Sequence, residues 1–391
     1  MTQIPRFDLL LRFKPSKMTK QKPTLIEHFK DIADPRLKRK QLHKLDDIFF
    51  ITLCAVICGC DGWVAIEKFA NMKRNWFEQY LSLEYGIPSH DTFGRVFSLI
   101  DPEQFQVCFS NWIKAIVKNV TGDVIAIDGK CLRRSHDKSS NKSAIYMVSA
   151  WSHDNQLTLG QVKVNEKSNE ITALPALLDN LNITGAIITT DALNTQKNSA
   201  RIIVEKGGDY LSALKGNQST LHDDVTLFFE NPPKSYIENL AHHKTVEKNH
   251  GRIEEREVTS CNEIDWLTKE HEHPYLASIV SVKSRRFHNK EWSQETRYFI
   301  SSVKHNDAEK FGHYVRAHWG VENNLHWTLD MAFDEDSCRI RKGFADQNMA
   351  ILRHISLNLL KSETEHKVGI KIKRQMAGWD NDYLLKVLQI F

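Results

Sequence analysis

Two aspartates, each preceded by an apolar and β-rich run, are the residues of this chain best suited to chemistry. Asp128 closes the run in DVIAIDGK, and Asp191 closes the run in GAIITTDAL further along the chain. A buried strand that ends in this way delivers a side chain to the rim of a sheet. Asp is common at strand ends because it favours turns. Two aspartates in the same setting nevertheless predict a shared divalent cation with oxygen ligands.

A third carboxylate would complete such a site, and Glu322 in AHWGVENNLHW is the favoured candidate. On a helix, His318 and His326 lie four residues to either side and share a face with it. Four nearby acids in LDMAFDED are its rivals: Asp330, Asp334, Glu335 and Asp336. Two aspartates and a glutamate suit two-metal phosphoryl transfer, in which oxygen ligands hold two Mg²⁺ ions about 3.5–4 Å apart.

The two histidines leave a second interpretation open. His318, Glu322 and His326 could form a zinc site, although their i, i+4, i+8 spacing is less compact than that of HExxH. Packing on a partly buried helix is the plain alternative for both histidines. It is also the interpretation favoured for Trp319 and Trp327.

Basic and amide side chains near the acids could contact a polyanion. They follow Asp128 directly and recur in ALKGNQ and NHGRIEER. The candidates are Lys130, Arg133, Arg134, Lys138, Lys142, Lys215, Asn217, Gln218, Arg252 and Arg256. The simpler alternatives are a solvated basic loop after Asp128, a turn in ALKGNQ, and a cross-paired salt ladder in NHGRIEER.

The elements that position these residues fall into three regions. Residues 1–23 are predicted to be a basic, disordered arm. Residues 24–120 are predicted to be all helical, either a DNA-binding or dimerising module or a generic bundle. Residues 121–391 are predicted to form a mixed α/β catalytic domain, interrupted at about 220–300 by a strand-rich stretch that is an insertion or a continued sheet. Within the helical region, GIPSHDTF predicts a helix capped by Ser89 or Asp91.

Composition narrows the class of protein. A chain of 391 residues is expected to hold two or three domains. Residues 1–44 contain 12 Lys and Arg against 4 Asp and Glu, which indicates a polyanionic partner. The 7 cysteines include no CxxC pair, which argues against disulfides and indicates a reducing, cytoplasmic setting. The apolar run at 48–60 is too short to cross a bilayer and predicts a buried helix, and no cleavable signal precedes it.

Several long motifs together resemble one known family. They are AIDGK, ITTDALNTQK, GDYLSALKGNQ, NHGRIEER and RAHWGVENNLHWTLDMAFDEDSCRIR, in that order. With the helical stretches before them, they resemble the H-repeat-associated transposases, a branch of the DDE insertion-sequence transposases, over about residues 24–391. The resemblance implies a ribonuclease H-like catalytic core, Asp128, Asp191 and Glu322 as the metal-binding triad, and cleavage and joining of DNA at transposon ends.

One part of the related pattern is missing. Related transposases often place Tyr, Arg and Lys around the glutamate at Y-x2-R-x3-E-x6-K spacing, where this chain has Val315, His318 and Leu329. The Arg and Lys roles therefore do not transfer directly. The missing positive charge could come from other arginines: Arg316, Arg339, Arg341, Arg252 and Arg256.

The leading hypothesis is a bacterial DNA transposase that uses Mg²⁺, with Mn²⁺ as a possible substitute. Its expected partner is double-stranded DNA, both the terminal inverted repeats and the target, and a homodimer is expected because two ends must be brought together. No membrane association is expected, and the protein would act in the cytoplasm at the nucleoid. The alternatives are a domesticated or inactive relative that binds DNA without cleaving it, and the zinc metallohydrolase.

Overall fold

The computed structural model describes residues 24–117, 119–136, 143–164, 170–249, 252–288 and 291–389. The predicted arm at 1–23 and the candidate residues Lys138 and Lys142 lie outside these ranges. The strands are β1 (Val124–Cys131), β2 (Tyr146–Ser152), β3 (Leu157–Lys163), β4 (Ile187–Thr190), β5 (Asp209–Leu214), β6 (Ala241–Asn249), β7 (Arg252–Cys261), β8 (Ser278–His288) and β9 (Glu291–Ser301).

Within the described residues these strands form one mixed sheet, in the order β3-β2-β1-β4-β5-β9-β8-β7-β6. β1 pairs antiparallel with β2 and parallel with β4, and β4 pairs parallel with β5. β9 then pairs antiparallel with β5, so the strand-rich stretch continues the catalytic sheet as an antiparallel extension of four strands. The ribonuclease H-like α/β fold class, with its strand-rich insertion, is confirmed.

Fifteen α-helices occur in the described part of the chain. They are α1 (Leu45–Ile57), α2 (Trp63–Met72), α3 (Arg74–Phe77), α4 (His90–Leu99), α5 (Pro102–Ile116), α6 (Glu170–Asp179), α7 (Lys197–Glu205), α8 (Ser219–Glu230), α9 (Lys234–Ile237), α10 (Asp265–His271), α11 (Ala308–Gly320), α12 (Trp327–Phe333), α13 (Ala345–Ser362), α14 (Ile370–Trp379) and α15 (Asn381–Leu388). Short 3₁₀ turns lie at Thr24–Phe29, Lys38–Lys40, Arg133–Ser135, Gly216–Gln218 and Glu335–Ser337.

The N-terminal region is helical, as predicted. The apolar run at 48–60 lies largely within α1, which is buried along most of its length. The Ser89 side chain caps α4 by accepting a hydrogen bond from the backbone N–H of Thr92 at 3.4 Å. Helix α6, between β3 and β4, is an element that the sequence interpretation missed. No helix within the described ranges is both long and apolar enough to span a membrane.

Helix α13 joins the helical region to the catalytic sheet. It packs against α1, α4 and α5 on one side and against β3 on another. Inside this contact, the Asn348 side-chain amide donates hydrogen bonds to the backbone oxygens of Phe97, at 2.8 Å, and Ile100, at 2.9 Å. Both carbonyls belong to the end of α4, where the helix leaves its last carbonyls without intrahelical donors. A single apolar core therefore runs from the N-terminal helices to the sheet.

Helix α11 covers one face of the sheet and leads to the predicted third acid. Phe311, Tyr314 and Ala317 are spaced by three residues, so they form one buried stripe on the helix. This stripe packs on Val124 of β1 and Ile187 of β4 among other sheet residues. Because β1 and β4 carry apolar side chains on both faces, as strands covered on both sides do, the helix is fixed above the point where these two strands meet.

Candidate catalytic and metal site

The two predicted aspartates lie side by side on neighbouring parallel strands. Register pairs Ile127 of β1 with Thr190 of β4, so the residues that follow, Asp128 and Asp191, occupy the same level of the sheet. Strand β4 ends at Thr190, which confirms the strand-end position of Asp191. The same prediction for Asp128 is wrong, because β1 continues to Cys131 through its pairing with β2. Asp128 therefore projects from within a strand that outlasts its parallel neighbour.

Hydrogen bonds orient the Asp191 carboxylate. Its Oδ1 accepts from the backbone N–H of Asn194 at 3.1 Å and from the Asn194 side chain at 2.9 Å. The predicted DNA-contact residues Asn217 and Gln218 hold the same loop: their side-chain amides donate to the backbone oxygens of Ala192, at 2.8 Å, and Thr195, at 2.9 Å. These two amides therefore position the Asp191 loop, while neighbouring Lys215 is exposed.

Glu322 reaches Asp128 from a π-helical segment. This segment, Val321–His326, joins α11 to α12 within one continuous helical stretch. Such segments are rare and occur frequently at functional sites. His326 Nδ1 lies 3.2 Å from Glu322 Oε2 and 3.6 Å from Asp128 Oδ2. In the described part of the chain, Asp128, Glu322 and His326 form the one group whose potential metal-ligand atoms all lie within 4.8 Å of one another.

The four rival acids have other contacts. Asp330 and Glu335 both accept hydrogen bonds from the Lys130 ammonium, with a Glu335 distance of 3.1 Å. Asp336 Oδ2 lies 3.4 Å from Nε of Arg133. Asp334 ends α12 in a left-handed conformation with φ of 50°. Of the five acids considered, Glu322 is thus the one that joins Asp128 in a cluster able to hold a cation.

Lys130 lies two residues after Asp128 and faces inward, away from any DNA that approaches the surface. Its side chain is 12% exposed, and that of Glu335 is 2% exposed. Burial alone lowers the pKa of Lys130, but the attraction of Glu335 and Asp330 outweighs it and holds the pKa above its ordinary value. Burial likewise acts to raise the pKa of Glu335, yet Lys130 and Arg353 hold it below the usual range. The contacts of Lys130 thus support a structural role beneath the acidic site.

His318 takes no part in the cluster around Glu322. Its Nδ1 is hydrogen-bonded to the Thr189 hydroxyl at 2.9 Å. Burial, only partly opposed by nearby Asp191, lowers the pKa of His318 to about 4, so the ring is neutral. The zinc arrangement of His318, Glu322 and His326 is therefore not assembled within the described residues.

The two tryptophans beside the site are exposed, which overturns the interpretation that they pack on a buried helix. The exposed fraction is 46% for Trp319 and 59% for Trp327. The Arg297 guanidinium stacks over the Trp319 ring at 5.1 Å. Both rings flank the segment that carries Glu322, and their faces are available to a ligand.

A groove of about 930 Å³ runs between α11 and strands β6 to β9 and reaches Asn323 and Asn324, next to Glu322. Arg316 of α11 makes a bidentate ion pair with Glu247 of β6. Cross-strand pairs also join Arg256 to Glu247, at 3.7 Å, and Arg286 to Glu254, at 3.2 Å. The salt ladder considered for NHGRIEER is present, and Arg252 lies exposed at its end.

A second basic surface lies beyond the other end of the site. It is formed by the turn after β1, with Arg133 and Arg134, and by the segment that carries Arg339 and Arg341. Arg341 Nε donates to the backbone oxygen of Arg134 at 2.9 Å, which ties the two segments together. Arg133, Arg134 and Arg339 are exposed. The structure therefore brings together four of the predicted phosphate-contact residues from distant parts of the sequence.

The role of His326 beside Asp128 was not found from the sequence. Helical spacing had joined it to Glu322 but had also joined Glu322 to His318, and only the sheet position of Asp128 separates the two. Asn194 was missed as well. The signal that could have found it is the Asp-x-x-Asn spacing after a strand, which favours a side-chain-capped turn.

Comparisons with known proteins agree with this geometry. Residues 120–359 match the family model described as Transposase DDE domain, and residues 26–113 match the model described as DDE_Tnp_1-associated. The chain is 43% identical over 371 residues to the "H repeat-associated putative transposase YhhI" of Escherichia coli K12, covering 93% of this chain and 97% of that protein. It is 46% identical over 245 residues to the "H repeat-associated putative transposase YbfD" of the same organism, covering 62% of this chain and 96% of that protein.

A solved structure of piggyBac transposase, in a synaptic complex with hairpin DNA, aligns with a TM-score of 0.43 at 10% identity. That alignment covers 93% of this chain and 77% of the other. The similarity is too weak to support any argument about this site. The two family models and the curated relatives are sufficient by themselves. The chain belongs to the H repeat-associated branch of the DDE transposase family.

Proposed function

We propose that this protein cleaves DNA at the terminal inverted repeats of its element and joins the ends to target DNA, with Asp128, Asp191 and Glu322 holding divalent cations. The observation that carries the proposal is the convergence of three carboxylates from β1, β4 and the π-helical segment at one rim of the sheet. Carboxylate oxygens are the donors that Mg²⁺ prefers, and Mn²⁺ accepts them as well. When bound, two such ions activate the attacking oxygen and stabilise the leaving oxygen.

The residues around the acids would supply what the cations do not. Asn194 fixes the orientation of Asp191, so this carboxylate needs little reorganisation on binding a cation. Glu322 has a side chain that is 56% exposed and can approach a phosphate from the solvent side. A carboxylate-lined site repels a polyanion unless positive charge lies nearby. The basic surface of Arg133, Arg134, Arg339 and Arg341 is suited to that task, as are Lys215 and the arginines of the groove.

The partner would be double-stranded DNA, and two copies of the chain would act together because both ends of an element must be held at once. Such a substrate would place the protein at the bacterial nucleoid. The helical region at 24–120 would then serve DNA binding or dimerisation, with the catalytic domain at 121–391. These assignments rest on the site and on the family to which the chain belongs.

A nicking assay tests the proposal. Purified protein with Mg²⁺ or Mn²⁺ is expected to nick a duplex that carries the inverted repeats of its own element. Asp128→Asn, Asp191→Asn and Glu322→Gln are each expected to abolish nicking while the repeats are still bound. Asp223→Asn is the matched control, because this aspartate is 79% exposed on α8 and away from the site.

Two outcomes would count against the proposal in different ways. Nicking that survives in both aspartate variants would remove the triad from the mechanism. Binding of the repeats without nicking by the unmodified protein, with either metal, would instead favour a relative that binds DNA and no longer cleaves it.

A further inference from the structure

We propose that His326 is a third protein ligand of the cation held by Asp128 and Glu322, so that this position takes a first-row transition-metal dication such as Mn²⁺ in preference to Mg²⁺. The inference rests on the proposed metal site and adds to it a nitrogen donor that the acidic triad lacks. His326 belongs to the π-helical segment, four residues after Glu322.

The separations between the three donor atoms fit one cation. Ligands of a cation with bonds of about 2.1 Å lie about 3.0 Å apart when adjacent and about 4.2 Å apart when opposite in an octahedron. His326 Nδ1 lies 3.2 Å from the Glu322 oxygen and 3.6 Å from the Asp128 oxygen. All three donor atoms lie within 4.8 Å of one another, so only small side-chain adjustments separate this arrangement from a coordination shell.

The imidazole is held in place before any cation arrives. His326 is 5% exposed, and its backbone oxygen accepts a hydrogen bond from the Lys130 ammonium at 3.4 Å. Nδ1 faces the two carboxylates. A buried ring cannot turn away to solvent, so the entropy cost of ordering this ligand is already met by the fold.

The opposite side of the ring suits a metal-bound imidazole. A histidine that binds a cation through Nδ1 carries its proton on Nε2, and that N–H usually donates to an oxygen beyond the ligand shell. His326 Nε2 is buried at a small cavity lined by Gln161, Glu335 and His354. The Gln161 side-chain oxygen and one Glu335 oxygen are buried there as well, each free of other hydrogen-bond partners in the described part of the chain. Acceptors for the Nε2 proton are therefore at hand.

A nitrogen donor changes which cation the site favours. Mg²⁺ binds oxygen ligands and water and gains little from imidazole, whereas first-row transition metals accept it readily. A simpler account is that Nδ1 donates a hydrogen bond to Glu322, since 3.2 Å also fits such a bond. The two accounts differ in one measurable respect, which is whether nitrogen is bonded to the metal.

Pulsed EPR of the untagged, full-length chain loaded with Mn²⁺ in a nitrogen-free buffer tests the proposal. We expect ¹⁴N modulation from a directly bound imidazole, which disappears in His326→Ala and persists in His222→Ala, a half-buried histidine on α8. Titration is expected to show Mn²⁺ affinity falling about 10- to 100-fold in His326→Ala, with a smaller change for Mg²⁺.

The outcomes separate this proposal from the one it rests on. Stoichiometric Mn²⁺ without ¹⁴N modulation in the unmodified protein would overturn the His326 assignment and leave the carboxylate site intact. Modulation that persists in His326→Ala would overturn it too, because another nitrogen would then be the donor. Failure of the unmodified protein to bind Mn²⁺ or Mg²⁺ at all would overturn both proposals. The unmodified protein alone gives the decisive spectrum, so the test does not depend on a variant that folds.

Discussion

Replacing Lys130 with methionine is expected to destabilise the fold far more than it weakens DNA binding. The ammonium of Lys130 is the cation shared by Asp330 and Glu335, and it also donates to the backbone of His326. Methionine keeps much of the side-chain volume but removes the charge. Glu335 would then keep only Arg353, whose Nη1 lies 3.6 Å away, as a cationic partner.

The expected size follows from burial. Removing one partner of a buried ion pair costs about 3–5 kcal/mol, because the other charge is left without compensation. Glu335 is 2% exposed at its side chain and meets this condition, whereas Asp330 is 31% exposed and adds little. Since Arg353 remains, the lower end of the range, about 3 kcal/mol, is expected.

The loss should also depend on pH. In the unmodified protein the folded-state pKa of Glu335 is depressed, so its contribution is present above the unfolded value of 4.5 and is lost as pH falls through the folded pKa. Without Lys130, burial raises that pKa above its unfolded value. The stability deficit of Lys130→Met is therefore largest near pH 8 and shrinks towards pH 5.

Urea unfolding at pH 8 and pH 5 measures the deficit, with the exposed Lys215→Met as the matched control. DNA binding by anisotropy provides the contrast, because Lys215→Met should weaken binding and leave the unfolding midpoint unchanged. The reasoning is refuted if Lys130→Met unfolds like the unmodified protein, or if it loses DNA affinity with stability intact. The second result would restore the sequence prediction that Lys130 contacts phosphate.

Three further outcomes are expected. Glu247→Gln releases Arg316, so duplex affinity should rise and the slope of log affinity against log salt should steepen by about 0.9 for each additional phosphate that the arginine neutralises; an unchanged slope would contradict this. Trp327→Ala should weaken binding of single-stranded DNA by about 1–3 kcal/mol if the exposed ring stacks on a base, and equal affinities in anisotropy would exclude stacking. Burial beside Tyr210 lowers the pKa of His273 to about 4, so unfolding free energy should fall by at most about 3 kcal/mol between pH 6.5 and 4, and His273→Gln should flatten that decline in urea midpoints.

Much of the site could be predicted because its parts are local. The apolar runs before Asp128 and Asp191 are long enough to identify β1 and β4, and Asp191 follows its strand as expected. Glu322 lies on a helix whose buried stripe has ordinary helical spacing. Ser89 caps its helix through a residue type that favours this position. In each case the signal lies within about one turn or one strand of the residue concerned.

The failures concern what a local pattern cannot carry. The burial of Lys130 depends on acids 200 residues or more further along the chain, so a basic residue beside an acidic site was taken for a phosphate contact. The continuation of the sheet through β9 depends on pairing with β5, which strand composition does not specify. The exposed Trp319 and Trp327 follow from the π-helical segment, because one extra residue per turn rotates everything after it relative to an unbroken α-helix.

That segment also explains why the carboxylates and the lysine remain apart. Asp128 and Lys130 project from the same face of β1, two residues apart. Glu322, His326 and Asp330 follow one another at intervals of four along the helix above. The two rows meet in register, so that Asp128 faces Glu322 and His326 while Lys130 faces Asp330 and the backbone of His326. Lys130 neutralises the lower acids, whereas the upper pair turns its oxygens towards the Nδ1 atom of His326. Two carboxylates and a ring nitrogen that converge in this way are best compensated by a divalent metal.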